Sequence, residues 1–506
     1  MEAYTLDRHD DIVRELAQKV AEYHASHIPF RINHGSTNST RRRDPSVPQL
    51  NIAHLNHILD IDTTANTVLV EPNVPLDALV LKTLKKQLVP LVVMEFPGIT
   101  VGGGFSGASG ESTGWKEGLF DCTVQEIEII LGNGKIMHAI KGGENSDLFN
   151  SARCSLGTMG VVTLLKVQLT QAQGAVRLSY QHTSSTEDTI NRLAELCNHE
   201  NTGFDFIEGL QYNENEGVII LGQHVCATAA TVKDLPRQRF DRAIDPWFYM
   251  HARGTTDSHI EIVPIQSYLF RHNRGAFWSG EVFLKYYGLP NTRFVRWLFD
   301  PIMTARAIYK AMLAADSADG AIIQDLLLPV DTSNAFTEYV AEELKIWPLW
   351  ICPIRKKAAD GNVWGWPFYQ TRKQTTVGDP SIRGELILNF GVWGPTDPTP
   401  SVVRKTNRDL EQKLRELRGM KVPYAANFYT EQEFWDLYDY KEYERLRKKW
   451  HAEALPDMYD KVRRKQDWGT EEGEVELGVR ETTWKELILQ IWPLGGLYQT
   501  FHVLFK

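Results

Sequence analysis

Apolar residues recur with two different periods along the first third of the chain, and each period predicts its own kind of element. A helical period predicts an amphipathic helix over residues 10–26, and further helices are predicted over residues 75–87 and 145–153. Short apolar runs between polar turns predict strands, and the Asn133-Gly134 pair between VQEIEIIL and KIMHAI predicts a hairpin. This alternation to about residue 172 predicts an α+β domain.

The pattern changes after that point. Strands such as GVIILGQ and ELILNFGVW mix with helices and with aromatic, proline-rich loops, which predicts a second domain. The end of the chain begins with charged positions and finishes in an apolar, aromatic stretch from Trp484 to Phe505. The predicted organisation is therefore a first domain over residues 1–172, a second over 173–456 whose chain returns to the first, and an extension over 457–506.

Glycine-rich segments interrupt the pattern twice in the first quarter of the chain, at Arg31–Arg41 and at Glu95–Cys122. Glycine and short polar side chains leave backbone N–H groups open to an anion and allow a pyrophosphate close to the main chain. Two such segments indicate that one large dinucleotide is held from both sides. A third, smaller glycine loop is predicted at Cys154–Gly160.

The second segment also contains a GxGxxG pattern, formed by Gly102, Gly104 and Gly107. A nicotinamide-binding fold would need a helix that opens at the third glycine. Because further glycines follow and SGESTGWKEG lacks helical periodicity, we predict an irregular loop here instead of a Rossmann turn.

Composition narrows the class of protein. The 506 residues allow two or three domains, and 42% hydrophobic with 24% charged residues are ordinary globular values. A net charge of -9 argues against general nucleic-acid binding, and five scattered cysteines without a CxxC pair disfavour disulfides and a structural metal. With neither a signal sequence nor an apolar membrane-length window, a cytoplasmic protein is expected.

These motifs resemble, in order and spacing, the FAD-binding domain of the vanillyl-alcohol-oxidase (PCMH-type) superfamily. The first-domain segments that carry the resemblance are RxxxGST, VEPNVPLDAL, FPGITVGGGFSGASGESTGWKEGLF and NSDLFNSARCSLGTMG. Within the superfamily the chain is similar to the Δ24-sterol reductases (the seladin-1/DIMINUTO group), through FRHNRGAFW, IIQDLLLPV, WPLWICP and NFYTEQEFWDLYD. The resemblance implies a two-subdomain FAD-binding domain followed by a mixed α/β substrate, or cap, domain.

The same resemblance implies which residues hold FAD. They are Arg31, His34, Gly35, Ser36, Thr37, Asn38 and Ser39 in the first segment; Pro97, Thr100, Val101, Gly102, Gly103, Gly104, Gly107 and Ser112 in the second; and Gly157, Gly160 and Val161 in the third. For the third-segment glycines a plain tight turn is an equal alternative. Covalent members bond the flavin to a histidine after the loop glycine, where Ser36 stands here, so non-covalent FAD is expected.

Reduction of an isolated C=C bond needs a hydride from the flavin and a proton donor for the other carbon. The candidate catalytic residues are Tyr429, Arg271, His272 and Asp325, with Glu95 and Arg274 as further donors or orienting groups. A surface or interdomain salt-bridge role is an equal alternative for Arg271, His272 and Arg274. A buried Asp325 would be costly unless paired, so a structural role is equally open.

The predicted function is FAD-dependent reduction of a C=C bond in a sterol-like or terpenoid substrate, with NADPH as the hydride source. Two alternatives stay open: an FAD-dependent oxidase of an alcohol or amine that uses O₂, and a flavin-binding protein with cyclase or isomerase activity. The expected partner is a lipophilic small molecule and not nucleic acid. Trp484–Phe505 either contacts an internal membrane such as the endoplasmic reticulum or packs onto the domain. The oligomeric state is left open.

Overall fold

A computed structural model describes residues 4–35, 47–198, 202–314, 321–355, 386–425 and 427–463. The strands are β1 (Arg31–Asn33), β2 (Gln49–Asn51), β3 (Ile58–Asp62), β4 (Thr67–Val70), β5 (Leu88–Pro90), β6 (Val124–Ile130), β7 (Ile136–Ile140), β8 (Val161–Gln171), β9 (Gly174–Thr183), β10 (Phe206–Asn213), β11 (Glu216–Cys226), β12 (Ile260–Pro264), β13 (Ala321–Pro329), β14 (Leu349–Arg355), β15 (Leu386–Pro395) and β16 (Met420–Lys421).

Helices surround these strands. They are α1 (Leu6–Ala25), α2 (Leu76–Leu84), α3 (Val101–Gly107), α4 (Gly114–Glu117), α5 (Ser146–Ala152), α6 (Thr186–Asn198), α7 (Phe248–Arg253), α8 (Ile265–Leu269), α9 (Ser279–Tyr286), α10 (Arg293–Phe299), α11 (Ala305–Ala314), α12 (Val330–Tyr339), α13 (Pro400–Glu416), α14 (Glu431–Trp435), α15 (Tyr440–Lys449) and α16 (Met458–Val462). Shorter 3₁₀ turns lie at Phe120–Thr123, Ala230–Val232 and Asp300–Ile302, and a π-helical turn continues α12 at Val340–Leu344. Within the described ranges, no helix combines the length and the apolar content needed to cross a membrane.

The first sheet is antiparallel, with the strand order β3-β4-β8-β6-β7 and β5 paired to β8, and β1 and β2 form a separate parallel pair. The predicted hairpin is confirmed: β6 and β7 pair from Ile130 opposite Ile136, and Gly134 takes a φ of +85° in the turn. Glycine reaches that left-handed conformation without the steric cost of a Cβ.

Helix α1 begins four residues before the predicted start. The side chain of Thr5 caps it by accepting a hydrogen bond from the Arg8 amide, at 3.4 Å. Its first turn is largely polar, so hydrophobic periodicity could not reveal it. The predicted apolar face is confirmed by Val13, Leu16 and Val20, which are all buried.

The second sheet contains eight antiparallel strands in the order β12-β9-β11-β10-β14-β15-β13-β16, and it begins at Gly174. Side chains of both sheets, such as Ile127 of the first and Leu178 of the second, belong to one apolar cluster. The chain then returns to the first part, because the Tyr443 hydroxyl of α15 donates to Thr158 Oγ1 at 2.9 Å. The predicted α+β class is confirmed, with both sheets sharing a core.

The glycine-rich second segment differs from the prediction of an irregular loop, which is wrong for residues 101–107 and 114–117. The second stretch is the single turn of α4. The first forms α3, which the Thr100 side chain caps by accepting from the Gly103 amide at 3.2 Å. A Cβ on Gly102 would lie 2.6 Å from Pro72 Cβ, and one on Gly104 would lie 2.4 Å from Met94 Cε. The glycines allow a helix to pack this closely, and the lack of side chains also removes any periodicity that would have predicted it.

Candidate active site

A cavity of about 310 Å³ is lined by residues from both sheets and from all three glycine-rich segments. The strand pleat explains the contribution of the second sheet. Asp325 lies opposite Gly391 and Leu327 lies opposite Asn389, so these positions share one face of β13 and β15. Trp350 of β14 lies opposite Gly391 and continues that face toward the next strand. One face of the sheet therefore forms the wall of the cavity.

On one side of the cavity, which we call the cationic side, Arg31 and Lys461 bring two positive charges close together. Arg31 Nη2 donates to the Asp460 carbonyl oxygen at 3.4 Å, and Lys461 Nζ donates to the carbonyl oxygen of Leu156. Both cationic residues line the cavity, as do His34 and Gly157. This pair of cations suits a diphosphate, because charge-assisted contacts to phosphate oxygens are stronger than neutral ones.

The first amides of α3 are not available as the predicted phosphate donors. Val101 N–H donates to the Val74 carbonyl at 3.0 Å, Gly102 N–H donates to the Pro72 carbonyl at 2.8 Å, and Gly103 N–H donates to Thr100 Oγ1. The polar contacts to a ligand must therefore come from groups further along the segment, such as Ser106 and Ser109, which line the cavity.

The opposite side of the cavity, which we call the carboxyl side, contains Glu95 and Asp325. Asp325 Oδ1 accepts from Asn389 Nδ2 at 3.0 Å, and its Oδ2 accepts from the Tyr424 hydroxyl at 2.8 Å. Both carboxyl residues keep part of their surface open to the cavity. The two hydrogen bonds fix the orientation of the Asp325 carboxyl group. Among the described contacts, no pair of side chains holds the Glu95 carboxyl group in the same way.

Burial shifts both carboxyl groups toward their protonated forms. Burial, with the nearby charge of Asp325, raises the pKa of Glu95 to about 8. Burial also raises the pKa of Asp325, although its bonds to Asn389 and Tyr424 oppose this shift. Glu95 therefore holds a proton at neutral pH, inside a cavity, and can donate it.

Aromatic side chains form the wall around the carboxyl side. The ring centroid of Phe96 lies 5.7 Å from that of Trp393 and 5.9 Å from that of Tyr309, and all three residues line the cavity. Behind them Phe277 packs against Trp393 with ring centroids 5.1 Å apart. Such a wall favours an apolar ligand, because it offers little to a polar one beyond the two carboxyl groups.

Behind the wall lies a second set of charged side chains, which we call the arginine cluster: Arg271, Glu208, Glu111 and His272. Arg271 Nε donates to Glu208 Oε1 at 2.8 Å and its Nη2 donates to Glu111 Oε1 at 2.6 Å. His272 Nε2 and Glu208 Oε2 are 3.1 Å apart, and Trp350 Nε1 donates to the same oxygen at 2.8 Å. The cluster reaches the cavity through Trp350.

Charge compensation determines the protonation of this cluster. Although burial opposes the shift, the charge of Arg271 holds the pKa of Glu208 well below its usual range. Burial raises the pKa of Glu111, which shares the same guanidinium, and burial with the Arg271 charge lowers the pKa of His272 to about 4. An Arg271–Glu208 ion pair with neutral neighbours is the result.

The structure brings the predicted catalytic residues together only in part. Asp325 lines the cavity, whereas Arg271 and His272 contact it indirectly and Tyr429 does not reach it. The Tyr429 hydroxyl instead donates to the Glu411 carbonyl at 3.3 Å, so its ring is part of the core. The three residues outside the lining were chosen from polar or aromatic sequence context, which cannot distinguish a cavity wall from the layer behind it.

The predicted FAD residues divide in the same way. Those that line the cavity are Arg31, His34, Thr100, Gly102, Gly103, Gly107, Gly157 and Gly160. Those that do not line it are Gly35, Pro97, Val101, Gly104, Ser112 and Val161. Ser36, Thr37, Asn38 and Ser39 lie outside the described residues. Lys461 was missed because the charged run that begins there was assigned to the extension, away from the site.

The residues present fit FAD. The cationic side suits its diphosphate, Gly107 of α3 leaves room along the cavity, and the aromatic carboxyl side suits the flavin ring and a substrate. A further observation supports a ligand: the buried Asn389 Oδ1 has no hydrogen-bond partner among the described residues, and Asn389 lines the cavity. Arg31, Lys461, Thr100, Ser106 and Asn389 are the groups that would hold it.

Comparison with known proteins agrees with this fit. Residues 12–139 match a family model described as an FAD binding domain. The chain is 26% identical over 455 residues to a Delta(24)-sterol reductase of Arabidopsis thaliana, which covers 87% of this chain and 80% of that protein. It is also 26% identical over 415 residues to the Delta(24)-sterol reductase of Homo sapiens, covering 81% and 76% of the two chains.

A shorter similarity links the chain to a second kind of protein. Cytokinin dehydrogenase 9 of Oryza sativa subsp. japonica is 34% identical over 142 residues, 27% of this chain and 26% of that protein.

The family model and the two sterol reductase comparisons confirm the predicted resemblance to FAD-binding oxidoreductases of the Δ24-sterol reductase type.

Proposed function

We propose that this FAD-binding oxidoreductase reduces an isolated C=C bond of a sterol-like or terpenoid substrate and that NADPH reduces its flavin. One observation carries the proposal: a single cavity joins the cationic side, suited to FAD, to a buried protonated carboxyl group among aromatic rings. The likeness to proteins named Delta(24)-sterol reductase, which spans 87% of the chain in the Arabidopsis thaliana comparison, supports the choice of substrate class.

An alkene has no oxygen that the protein could polarise, so its reduction requires a proton delivered directly to carbon. When bound, FAD supplies the hydride for the other carbon. Glu95 is the group that can give the proton, because burial raises its pKa to about 8 and it faces the cavity. The proton leaves the Glu95 carboxyl group and forms the new C–H bond, and solvent restores it after each turnover.

Asp325 has a supporting role in this scheme. Its carboxyl group, held by Asn389 and Tyr424, adds negative character beside Glu95 and so keeps the proton on Glu95. The same negative character stabilises the positive charge that develops on the alkene carbon as the proton is transferred. Glu95 thus acts as the proton donor, and Asp325 provides electrostatic support.

The carboxyl side is less suited to the alternative alcohol oxidase. Oxidation of an alcohol requires a base that removes the hydroxyl proton. Glu95 is protonated at neutral pH and cannot accept it, and both oxygens of Asp325 already accept hydrogen bonds. A cyclase or isomerase would use the same acid but would need no flavin turnover. A single experiment therefore distinguishes both alternatives from alkene reduction.

That experiment is anaerobic stopped-flow absorbance of the FAD-loaded enzyme. We expect NADPH to bleach the flavin band and a Δ24-sterol or a terpenoid alkene to restore it, with one saturated product formed per flavin. Reoxidation by O₂ alone, together with peroxide release from an alcohol or amine, would identify an oxidase. A flavin that NADPH never bleaches, with product isomers still formed, would identify non-redox chemistry.

The mode of flavin attachment has its own test. We propose non-covalent FAD, although His34 lines the cavity and is the histidine available in this segment. Acid precipitation should release the yellow chromophore completely into the supernatant. A yellow pellet that turns colourless in His34→Ala would show a covalent bond instead.

A further inference from the structure

The most exposed large apolar side chains of the described chain are concentrated in one short segment. Phe294 is 65% exposed, Tyr286 61%, Leu298 53% and Trp297 51%, and no other large hydrophobic residue in the described ranges exceeds 50%. Single exposed apolar residues are ordinary, whereas several within one short segment indicate a surface that contacts another apolar phase. We call these four residues the aromatic patch.

Helix α10 has two apolar faces, and this explains why the patch exists. Val295 and Phe299, four residues apart, pack against the main core. Phe294, Trp297 and Leu298 follow the complementary helical spacing and point outward, with the rings of Phe294 and Trp297 5.9 Å apart. Core packing needs only the first face, so the second is not a by-product of folding.

Basic residues outnumber acidic ones around the patch. The segment from residue 281 to 300 contains Lys285, Arg293 and Arg296 against Glu281 and Asp300, and Asp300 is paired with Arg274, in a chain whose net charge is -9. Arg293 and Lys285 are exposed, although Lys285 also pairs with Glu281 at 2.9 Å. A basic apolar surface on an acidic protein is complementary to an anionic apolar surface, and a bilayer that contains anionic phospholipid has that character.

We propose that the aromatic patch, with Arg293 and Lys285, docks the protein on the surface of an anionic phospholipid bilayer. Trp, Tyr and Phe rings insert at the level of the headgroups, and the flanking cations attract the lipid phosphates. A second copy of this chain is a poorer partner, because a two-fold contact would bring the same cations face to face.

The patch is close along the chain to the cavity wall, so docking would bring the cavity near the bilayer. Helix α10 leads through a short turn into α11, whose Tyr309 lines the cavity, so the docked segment is continuous with the cavity wall. A lipophilic substrate partitions into bilayers, and docking would shorten its transfer. This benefit rests on the proposed function, whereas lipid binding itself is measured without turnover, so either can fail alone.

The test is flotation of the full-length, FAD-loaded protein with vesicles of phosphatidylcholine alone and with 30% phosphatidylserine. We expect binding to the anionic vesicles that weakens at high salt. In Phe294→Ser/Trp297→Ser/Leu298→Ser the affinity should fall by about tenfold or more, because three interfacial anchors are lost. The matched control, Leu6→Ser/Leu81→Ser/Val402→Ser, also removes three exposed apolar residues and should bind as the wild type does.

Three results would overturn the docking surface. The first is that the wild type binds neither kind of vesicle, and the second is that the patch variant floats as well as the control. A third is that the wild type is a dimer by sedimentation equilibrium, the patch variant is a monomer, and neither floats, which would assign the patch to self-association. Flavin content and turnover of detergent-dispersed substrate verify that the variants are folded, because none of the substituted residues lines the cavity.

Discussion

Two sets of buried carboxyl groups lie on either side of the same aromatic wall, and they differ in one respect. Glu208, in the arginine cluster, contacts the guanidinium of Arg271 at 2.8 Å and also accepts from Trp350. Glu95 and Asp325, on the carboxyl side of the cavity, have no cation in direct contact among the described residues. Arg271 therefore keeps Glu208 charged, whereas burial raises the pKa of Glu95 to about 8 and also raises that of Asp325.

The comparison distinguishes a carboxyl group that stabilises the structure from one that can take part in catalysis. A compensated carboxylate keeps its charge over the whole physiological pH range and serves to hold neighbours in place, here the Trp350 ring. An uncompensated one titrates near neutrality and can move a proton. Arg271 and His272 are for this reason positioning residues, and Glu95 is the residue that we expect to contact substrate.

The largest effect should follow from removing the compensating cation. Arg271→Met leaves Glu208 buried with its charge uncompensated, and we expect a loss of about 3–5 kcal/mol in the free energy of unfolding. Urea denaturation followed by tryptophan fluorescence measures it. The matched control is Arg253→Met, whose pair with Glu216 is half exposed and should contribute less than about 1 kcal/mol. Equal stabilities of the two variants would contradict the proposed charge compensation.

The next largest effect concerns the proton donor. Glu95→Gln keeps the shape of the side chain but removes the acid, so kcat for alkene reduction should fall by about 100-fold. Stopped-flow measurements should show unchanged reduction of the flavin by NADPH, because that step needs no proton from Glu95. Glu111→Gln is the matched control: it is also a buried carboxyl group with a raised pKa, but it does not line the cavity. A similar loss of kcat in both variants would remove Glu95 from the mechanism.

The sequence predicts much of the first sheet and the glycine-rich part of the cavity, but little of how its carboxyl side is assembled. The hairpin at Asn133-Gly134 and the apolar face of α1 follow from local rules and are confirmed. The carboxyl side requires pairing between strands far apart in sequence, since Asp325 meets Asn389 across β13 and β15. Hydrophobic periodicity contains no information about such partners.

The sequence alone contains enough information to predict one part of the carboxyl side. ELILNFGVW was predicted as a strand, and its alternation places Asn389, Gly391 and Trp393 on one face. A polar residue, a glycine and a tryptophan on the same face of a buried strand indicate a cavity wall. Glu95 was considered as a donor, but its environment depends on Asp325, which is distant in sequence.

The hydrogen bond from Trp350 to Glu208, which connects the cavity wall to the arginine cluster, can be removed selectively. Trp350→Phe keeps the ring in the cavity wall but deletes the N–H that donates to charged Glu208, and we expect a loss of about 1.5–3 kcal/mol in unfolding free energy. Trp278→Phe deletes a hydrogen bond to the neutral Trp393 carbonyl and should lose only about 0.5–1.5 kcal/mol. Chemical denaturation of both variants makes the comparison. A smaller loss at Trp350 would mean that Glu208 does not hold the wall.

The smallest effect is a dependence on pH. With burial raising the pKa of Glu95 to about 8, kcat should be constant below that pH and fall by about tenfold per unit above it. Glu95→Gln should remove this fall and leave a low, flat profile. A wild-type kcat that stays constant well above pH 8 would exclude Glu95 as the donor.

The same titration predicts a change in stability that needs no turnover. Because the pKa of Glu95 is higher in the folded protein than in the unfolded chain, the folded state binds more protons between these two values. Its contribution to stability is therefore complete below the unfolded pKa and is lost as the pH rises through about 8. Unfolding free energies of the wild type should fall over this range by at most about 1.4 kcal/mol per pH unit relative to Glu95→Gln. Glu208, compensated by Arg271, has a lowered pKa and contributes no slope in the same range. Asp325 and Glu111 also have raised pKa values, and the comparison with Glu95→Gln separates the slope of Glu95 from theirs.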